Sequence, residues 1–311
     1  MQGAGFSCFR RGGPGRLVVI ARKVRFKPID AVIIFLCVVF GVYLYYRIRY
    51  GLEYKSDWSE IPQFLFRRDA STGRMAPNYL VQGLVMTLKL SIWAVVAGAI
   101  MGIVMGLFRA GKNLFLRMIA GAYVELVRNL PPLVLIFIFY FFVVDQFIPL
   151  LGVEEFIRSR SPGTKAMISL FFAPEALFTQ FISGVAAIAF LEGAYITEII
   201  RAGIESIDRG QREAACSLGL SWMDQMRFVI MPQAIKRTLP PLANEFINAI
   251  KHSAIASVVS IQELTFMGRQ VVEATHQIFE TWIAIALMYL TLTLSVSLLV
   301  ARLEKKMGQS D

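Results

Sequence analysis

Two apolar stretches of this chain carry side chains able to pair charges or grip a polar solute. Glu192 and Glu198 interrupt residues 177–201, and Tyr195 shares a helical face with Glu192. Asn244, Glu245, Asn248, Lys251 and His252 punctuate residues 239–263. Asn244, Asn248 and Lys251 or His252 recur at i, i+4 and i+7 or i+8, the spacing of one helical stripe. A charge at a bilayer centre costs on the order of 2.5–3.5 kcal/mol on insertion scales, so such residues face a cavity or a partner. Glu192, Tyr195, Asn244, Asn248 and Lys251 are therefore read as lining a polar passage. A helix–helix hydrogen-bond network without cargo contact competes with that reading.

Other chemistries find little support. "GLFRAGKN" (106–113) fits the G-x-x-x-x-G-K spacing of a phosphate loop, but Asn113 replaces the Ser or Thr that would hold Mg²⁺. It also follows an apolar helix rather than a strand, so backbone N–H groups cannot converge on a phosphate. His252 and His276 are too few and too far apart for zinc, and Cys8, Cys37 and Cys216 form neither a CxxC site nor a disulfide framework. No catalytic constellation, cofactor site or metal site is expected.

The elements that must position the passage follow from composition. The 311 residues are 56% hydrophobic and 17% charged, against about 45–50% and 25% for soluble domains. A net charge of +10 raises nucleic acid as a partner, but the basic residues flank apolar runs, as in cytoplasmic loops, without aromatic interleaving. Taking about 20 apolar residues per crossing, six spans are expected near 29–47, 80–108, 123–145, 177–201, 239–263 and 281–301. Leu90 to Phe108 and Thr281 to Ala301 contain no charge. Gly98, Gly102 and Gly106 share one face of the second span, a pattern for close helix packing.

Arg10, Arg11, Arg16, Arg22, Lys23, Arg25 and Lys27 precede the first span with no acid before Asp30, which places the N-terminus in the cytoplasm. No small-residue cleavage site follows Tyr43, Tyr45 and Tyr46, so the span is read as a retained anchor. Six crossings return Arg302, Lys305 and Lys306 to the same side, with 109–122 and 202–238 also inside. Residues 47–79 depart from the pattern, with six Lys/Arg against four acids on the expected outer side.

The inner segment 202–238 is punctuated as two short helices. Asp208 with Gln211, and Ser221 with Asp224, have capping-box spacing. Gly219 suits a left-handed helix end, and Pro232 is expected to stop the second helix. Thr238, Pro240 and Pro241 are expected to open the next span.

"EAACSLGLSWMDQMRFVIMP" resembles the EAA loop of ATP-binding-cassette (ABC) importer permeases: Glu213, Ala214, Ala215, Gly219, Val229, Met231 and Pro232 keep its spacing. "VRNLPPLVLIFIFYF" (127–141), "GAYITEIIRAGIESIDRGQREAA" (193–215) and "MPQAIKRTLPPLANEFINAIKHSAIASVVSIQEL" (231–264) look like the polar amino-acid branch of that family. The resemblance covers roughly 80–303 and implies an all-α integral membrane protein, a five-helix type I importer permease core plus an extra N-terminal helix. Its domains would be a basic cytoplasmic tail (1–28), an anchor (29–47), an extracytoplasmic loop (48–79), the permease domain (80–303) with coupling loop 208–232, and a cytoplasmic tail (304–311).

The resemblance implies a permease subunit in a bacterial inner membrane, not itself an enzyme, that translocates a polar amino acid inward. Implied partners are two ABC ATPase subunits, a second permease subunit (identical or homologous), an extracytoplasmic amino-acid-binding protein and membrane lipid, with no nucleic acid. Glu213, Ala214, Ala215, Gly219 and Pro232 would couple to the ATPase. Lys251 and Asn244 match family positions, and an amino acid carrying both charges would meet both signs at Lys251 and Glu192. The alternative is an ion-gradient-driven secondary transporter with Glu192 as a proton site, which leaves the EAA loop without a purpose.

Overall fold

The computed structural model describes residues 28–51, 57–69 and 73–308. Residues 1–27 of the expected basic tail and 309–311 of the C-terminal tail lie outside them. The chain divides into a unit of residues 1–55 and a unit of residues 56–311. In the first, α1 (Pro28–Gly51) is apolar around its whole circumference, the signature of a helix with no aqueous face.

The second unit opens with a short 3-10 turn and α2 (Ile61–Leu65), then β1 (Phe66–Arg68) and β2 (Met75–Pro77), an antiparallel pair. This ladder, in an otherwise helical protein, fell inside the segment read as an outer loop. Next come α3 (Tyr79–Ala110), α4 (Leu114–Asn129) and α5 (Pro132–Ile138), followed by a π-wound stretch (Phe139–Val144). Short helices α6 (Asp145–Leu150), α7 (Val153–Arg158) and α8 (Pro162–Phe171) lead to the long α9 (Phe178–Glu205). Then follow α10 (Arg209–Ser217), α11 (Trp222–Asp224), a second π-wound stretch (Gln225–Ile230) and α12 (Met231–Ser253). A 3-10 turn (Ala254–Val259), α13 (Leu264–Thr275) and α14 (Ile278–Gly308) complete the chain.

Four helical segments among the described residues are long and apolar enough to cross a membrane: Pro28–Arg47, Tyr79–Ala110, Glu175–Glu205 and Ile278–Arg302. Two of the six expected spans need correction. The third is broken: α4 and the helix beginning at Pro132 meet at 116°. Pro131 and Pro132 are the cause, since proline supplies no N–H and pushes its predecessor out of the helical region. The fifth is not a clean span. Residues 239–263 are divided between α12, the 3-10 turn and the start of α13, and Ser260 takes a positive φ of 62°. α12 carries Lys236, Arg237, Glu245 and Lys251 and does not qualify alone as apolar enough.

Pro232, Pro240 and Pro241 also behave differently from expectation. Helical backbone runs from Trp222 to Ser253 without a stop, Pro232 lies in the first turn of α12, and Pro240 and Pro241 sit inside it. The wider π turn immediately before Pro232 displaces the carbonyl that its ring would otherwise crowd.

The core is built on α3 against α9. A Cβ on Gly102 would lie 2.6 Å from Ile196 Cγ2, and one on Gly106 would lie 2.7 Å from Ile200 Cβ. Glycine lets these backbones touch where lipid offers no hydrophobic drive between helices. Three apolar layers follow along the pair. Leu80, Leu264, Val271 and Ile285 form one end. Leu90, Ala94, Val127, Ile136, Ile188 and Leu191 form the middle. Ile200, Ile204, Ile207, Met226 and Ile230 form the other end, under α10.

Candidate functional site

At that last end the segment 208–232 folds as a fixed platform. Asp208 caps α10, its Oδ1 accepting from Gly210 N at 2.8 Å. At the other terminus Gly219 N donates to Cys216 O at 2.9 Å and Leu220 N to Ala215 O at 3.2 Å, with Gly219 at φ +72°. These two bonds are the Schellman closure, which satisfies carbonyls that a helix end leaves open. The reciprocal half of each expected capping box is absent. Among the described residues Gln211 donates only its backbone N–H, to Asp208 O at 3.1 Å. Ser221 Oγ accepts from Asp224 N at 3.3 Å and gives its own proton to Asp224 Oδ2 at 2.5 Å.

The platform is tied to the helices on both sides. Arg212 Nη2 donates to Ile204 O at 2.7 Å, linking α10 to the end of α9. Arg237 Nη1 donates to Ser206 O at 2.5 Å, linking α12 to the same end. Gln225 Nε2 closes the turn on Leu220 O at 2.8 Å. Ala215 faces inward and is buried, whereas Glu213, Ala214 and Pro232 are exposed. Leu218, 80% exposed, Met223 and Phe228 stand beside them. A large aliphatic side chain left so open on a rigid, capped helix is suited to insertion into a partner.

The second assembly lies between α9 and α12. Glu192 is fully buried, with Oε1 2.7 Å from His252 Nδ1. Its Oε2 is buried too and has no hydrogen-bond partner among the described residues. Glu245 faces Glu192 within electrostatic range, and Asn248 Nδ2 donates to Glu245 Oε2 at 3.4 Å. The Tyr195 ring sits 6.5 Å from the His252 ring and 5.5 Å from the Arg128 guanidinium carbon. The structure thus brings Glu192, Tyr195 and Asn248 together and leaves Asn244 and Lys251 exposed outside the cluster.

Three members escaped the reading of the sequence as site residues: Arg128, Glu245 and His252. The signal for Arg128 was its place before "NLPP", since the break at Pro131 ends α4 where its last turn meets α9. Glu198 belongs to a different network. Arg109 Nη1 bonds its Oε2 at 2.7 Å, and Arg201 spans it and Glu205. Its charge is accounted for by ion pairs that lock α3 to α9. Among the described residues no three His, Cys, Asp or Glu side chains converge as a metal site.

A carboxylate with one open oxygen, an imidazole, a second carboxyl and a guanidinium together offer acceptors for an ammonium and a donor for a carboxylate. Carried on membrane helices above a rigid exposed platform, they define a multi-pass α-helical transport protein. The chain belongs to the family of binding-protein-dependent transport system inner membrane components, which matches residues 94–309.

It is 33% identical over 230 residues to the probable glutamine ABC transporter permease protein GlnM of Bacillus subtilis, covering 74% of this chain and 94% of that one. It is 31% identical over 228 residues to the glutamine transport system permease protein GlnP of Escherichia coli, covering 73% and 92%. Among solved structures, an amino acid ABC transporter crystallised with histidines superposes with a TM-score of 0.59 at 36% identity, covering 73% of this chain and 94% of that one. An inward-facing MetNI methionine ABC transporter, at 16% identity and a TM-score of 0.56 over 74% and 96%, shares the fold.

Proposed function

We propose that the chain is the permease subunit of an ABC importer that moves a polar α-amino acid inward. It works with a second permease subunit, identical or homologous, two separate ATPase subunits and an extracytoplasmic binding protein. The observation that carries this reading is α10, a helix capped at both ends, tied to α9 and α12 and exposing Glu213, Ala214 and Leu218. An element held this way passes on the closure of a docked ATPase as a rigid-body movement. The relatives bear glutamine in their names, so glutamine is the first cargo to test.

In this reading residues 80–303 are the permease domain, with 29–47 as an added anchor and 48–79 outside. Both termini and the 208–232 platform face the cytoplasm. The Glu192 cluster lies on the passage, and its acceptors and donor meet the two charges of the amino acid. Asn244 and Lys251, although outside that cluster, are exposed on α12 and available further along the passage.

The test uses the assembled complex in vesicles with ATP enclosed and binding protein outside. Labelled glutamine uptake is expected to require ATP and to survive an ionophore that abolishes the proton gradient. Uptake that follows the gradient and ignores ATP would instead establish a secondary transporter, with the Glu192–His252 pair as its proton site.

A further inference from the structure

One charge interrupts the exposed stripe of α3. Val85, Lys89, Ile92, Val96, Ile100 and Ile103 recur at steps of three and four, the spacing of a single helix face. The five apolar members are 41–64% exposed. α3 is one of the segments long and apolar enough to cross a membrane, and an ammonium on such a helix calls for a counter-charge. Among the described residues no acid pairs with Lys89. Its partly buried Nζ makes one hydrogen bond, to Ser169 O at 2.7 Å near the C-terminal end of α8. Two of its three N–H donors are left over.

Beside Lys89 lies a cavity of about 400 Å³, within the range of ligand pockets. Val85, Met86, Leu177 and Met267 make its walls mostly apolar, and Gln82 and Gln262 join Lys89 as polar groups. No carboxyl group lines it, so an α-amino acid seated there would leave its ammonium unpaired, at a cost. Two further cavities differ in charge. One of about 590 Å³ holds Glu273 and neither Lys nor Arg, and one of about 180 Å³ holds both Arg158 and Glu175.

The walls of the cleft are fixed on both sides. Trp93 Nε1 donates to Phe171 O at 3.0 Å and, with Lys89, holds the end of α8 against α3. Opposite, Leu264 N donates to Thr87 Oγ1 at 3.1 Å, and a Cβ on Gly83 would lie 2.9 Å from Leu264 Cα. α13 therefore begins hard against α3. A cleft formed before binding loses little freedom when it is filled.

We propose that this cleft holds one anionic membrane phospholipid, with its phosphate at Lys89 and the Gln262 amide. An acyl chain runs from the cleft along Ile92, Val96 and Ile100 and covers the exposed stripe. The phosphate supplies the charge that the ammonium lacks, as a charge-assisted hydrogen bond. A zwitterionic lipid brings a cation of its own, for which the lining offers no carboxylate. The bound lipid bridges α8 and α13 across α3.

The experiment takes the assembled complex, stripped of lipid in detergent, and titrates it with synthetic phosphatidylglycerol or phosphatidylcholine. Bound lipids are counted by native mass spectrometry. One phosphatidylglycerol per copy of this chain is expected to bind at least tenfold more tightly than phosphatidylcholine. Lys89→Gln is expected to lose that one lipid and Lys89→Arg to keep it. Val85→Trp fills the cleft while leaving the ammonium in place, and is expected to lose it too. The melting temperature without added lipid shows whether each variant has folded, and if Lys89→Gln has not, Lys89→Arg and Val85→Trp decide. A wild type that holds both lipids equally overturns the proposal, as does a Lys89→Gln protein with an unchanged count. Retention of the lipid in Val85→Trp places it outside the cleft and defeats the assignment. Separation of the permease subunits in the variants, with no change in lipid count, assigns the stripe to a protein partner and defeats it as well.

Discussion

Replacing Gly219 by valine is expected to abolish most of the substrate-stimulated ATP hydrolysis while the permease still inserts and assembles. Gly219 holds φ +72° at the exit of α10, a region that a Cβ disfavours by roughly 1–2 kcal/mol. Nothing lies within 4 Å of where that Cβ would sit, so the substitution strains the backbone without a clash. About 1–2 kcal/mol corresponds to a five- to thirtyfold loss of the correctly closed loop. The two bonds from Gly219 N and Leu220 N then fail, and α10 presents Glu213 and Leu218 at the wrong angle. Gly219→Asn should recover part of the activity, because Asn tolerates left-handed backbone. Assay of ATP hydrolysis and uptake in one preparation decides it. Full stimulation in Gly219→Val would remove α10 from the coupling path.

Glu192→Gln is expected to fail in the opposite way. The substitution keeps the shape of the side chain and replaces a carboxyl group whose Oε1 lies 2.7 Å from His252 Nδ1. A Gln amide accepts at only one of its two terminal atoms, so the buried site loses an acceptor at a cost of about 1–3 kcal/mol, and in the proposed reading these groups border the passage. Uptake should fall at least tenfold while ATP hydrolysis stimulated by the binding protein persists, so fewer molecules are moved per ATP. If the cluster only packs α12 against α9, thermal stability falls and the ratio of cargo to ATP does not change. That ratio separates the two roles, because a packing defect lowers transport and hydrolysis together.

Much of the scaffold was legible because bilayer thickness imposes a length. The charge-free runs lie within α3 (Tyr79–Ala110) and α14 (Ile278–Gly308), and residues 177–201 became α9 (Phe178–Glu205). Gly219, Asp208 and Ser221 were readable because caps are local chemistry. What failed was anything requiring knowledge of a neighbouring turn. Pro232 did not stop its helix because a π-wound turn preceded it, and Pro131 did break one that had been read as continuous.

The β1–β2 pair was hidden because strands of three residues carry no usable alternation. Within the buried cluster, the choice between Lys251 and His252 hung on one residue of rotation. One position turns a helix by about 100°, and that rotation brings His252 to Glu192 and leaves Lys251 exposed. For Arg128 the local signal was its place before "NLPP", but its contact with Tyr195 joins α4 to α9 across 67 residues of sequence, which no local pattern reports.

The central claim is that force enters this membrane protein through the 208–232 platform. It is tested most directly by placing a cysteine at Glu213 in a Cys216→Ser background and adding a short reversible crosslinker to the assembled complex. Cys216 is exposed on the same helix and would otherwise compete. The account predicts a crosslink to an ATPase subunit that arrests uptake and is reversed by reduction. A position 213 that crosslinks to no ATPase subunit, or a crosslink that leaves uptake unchanged, would contradict it.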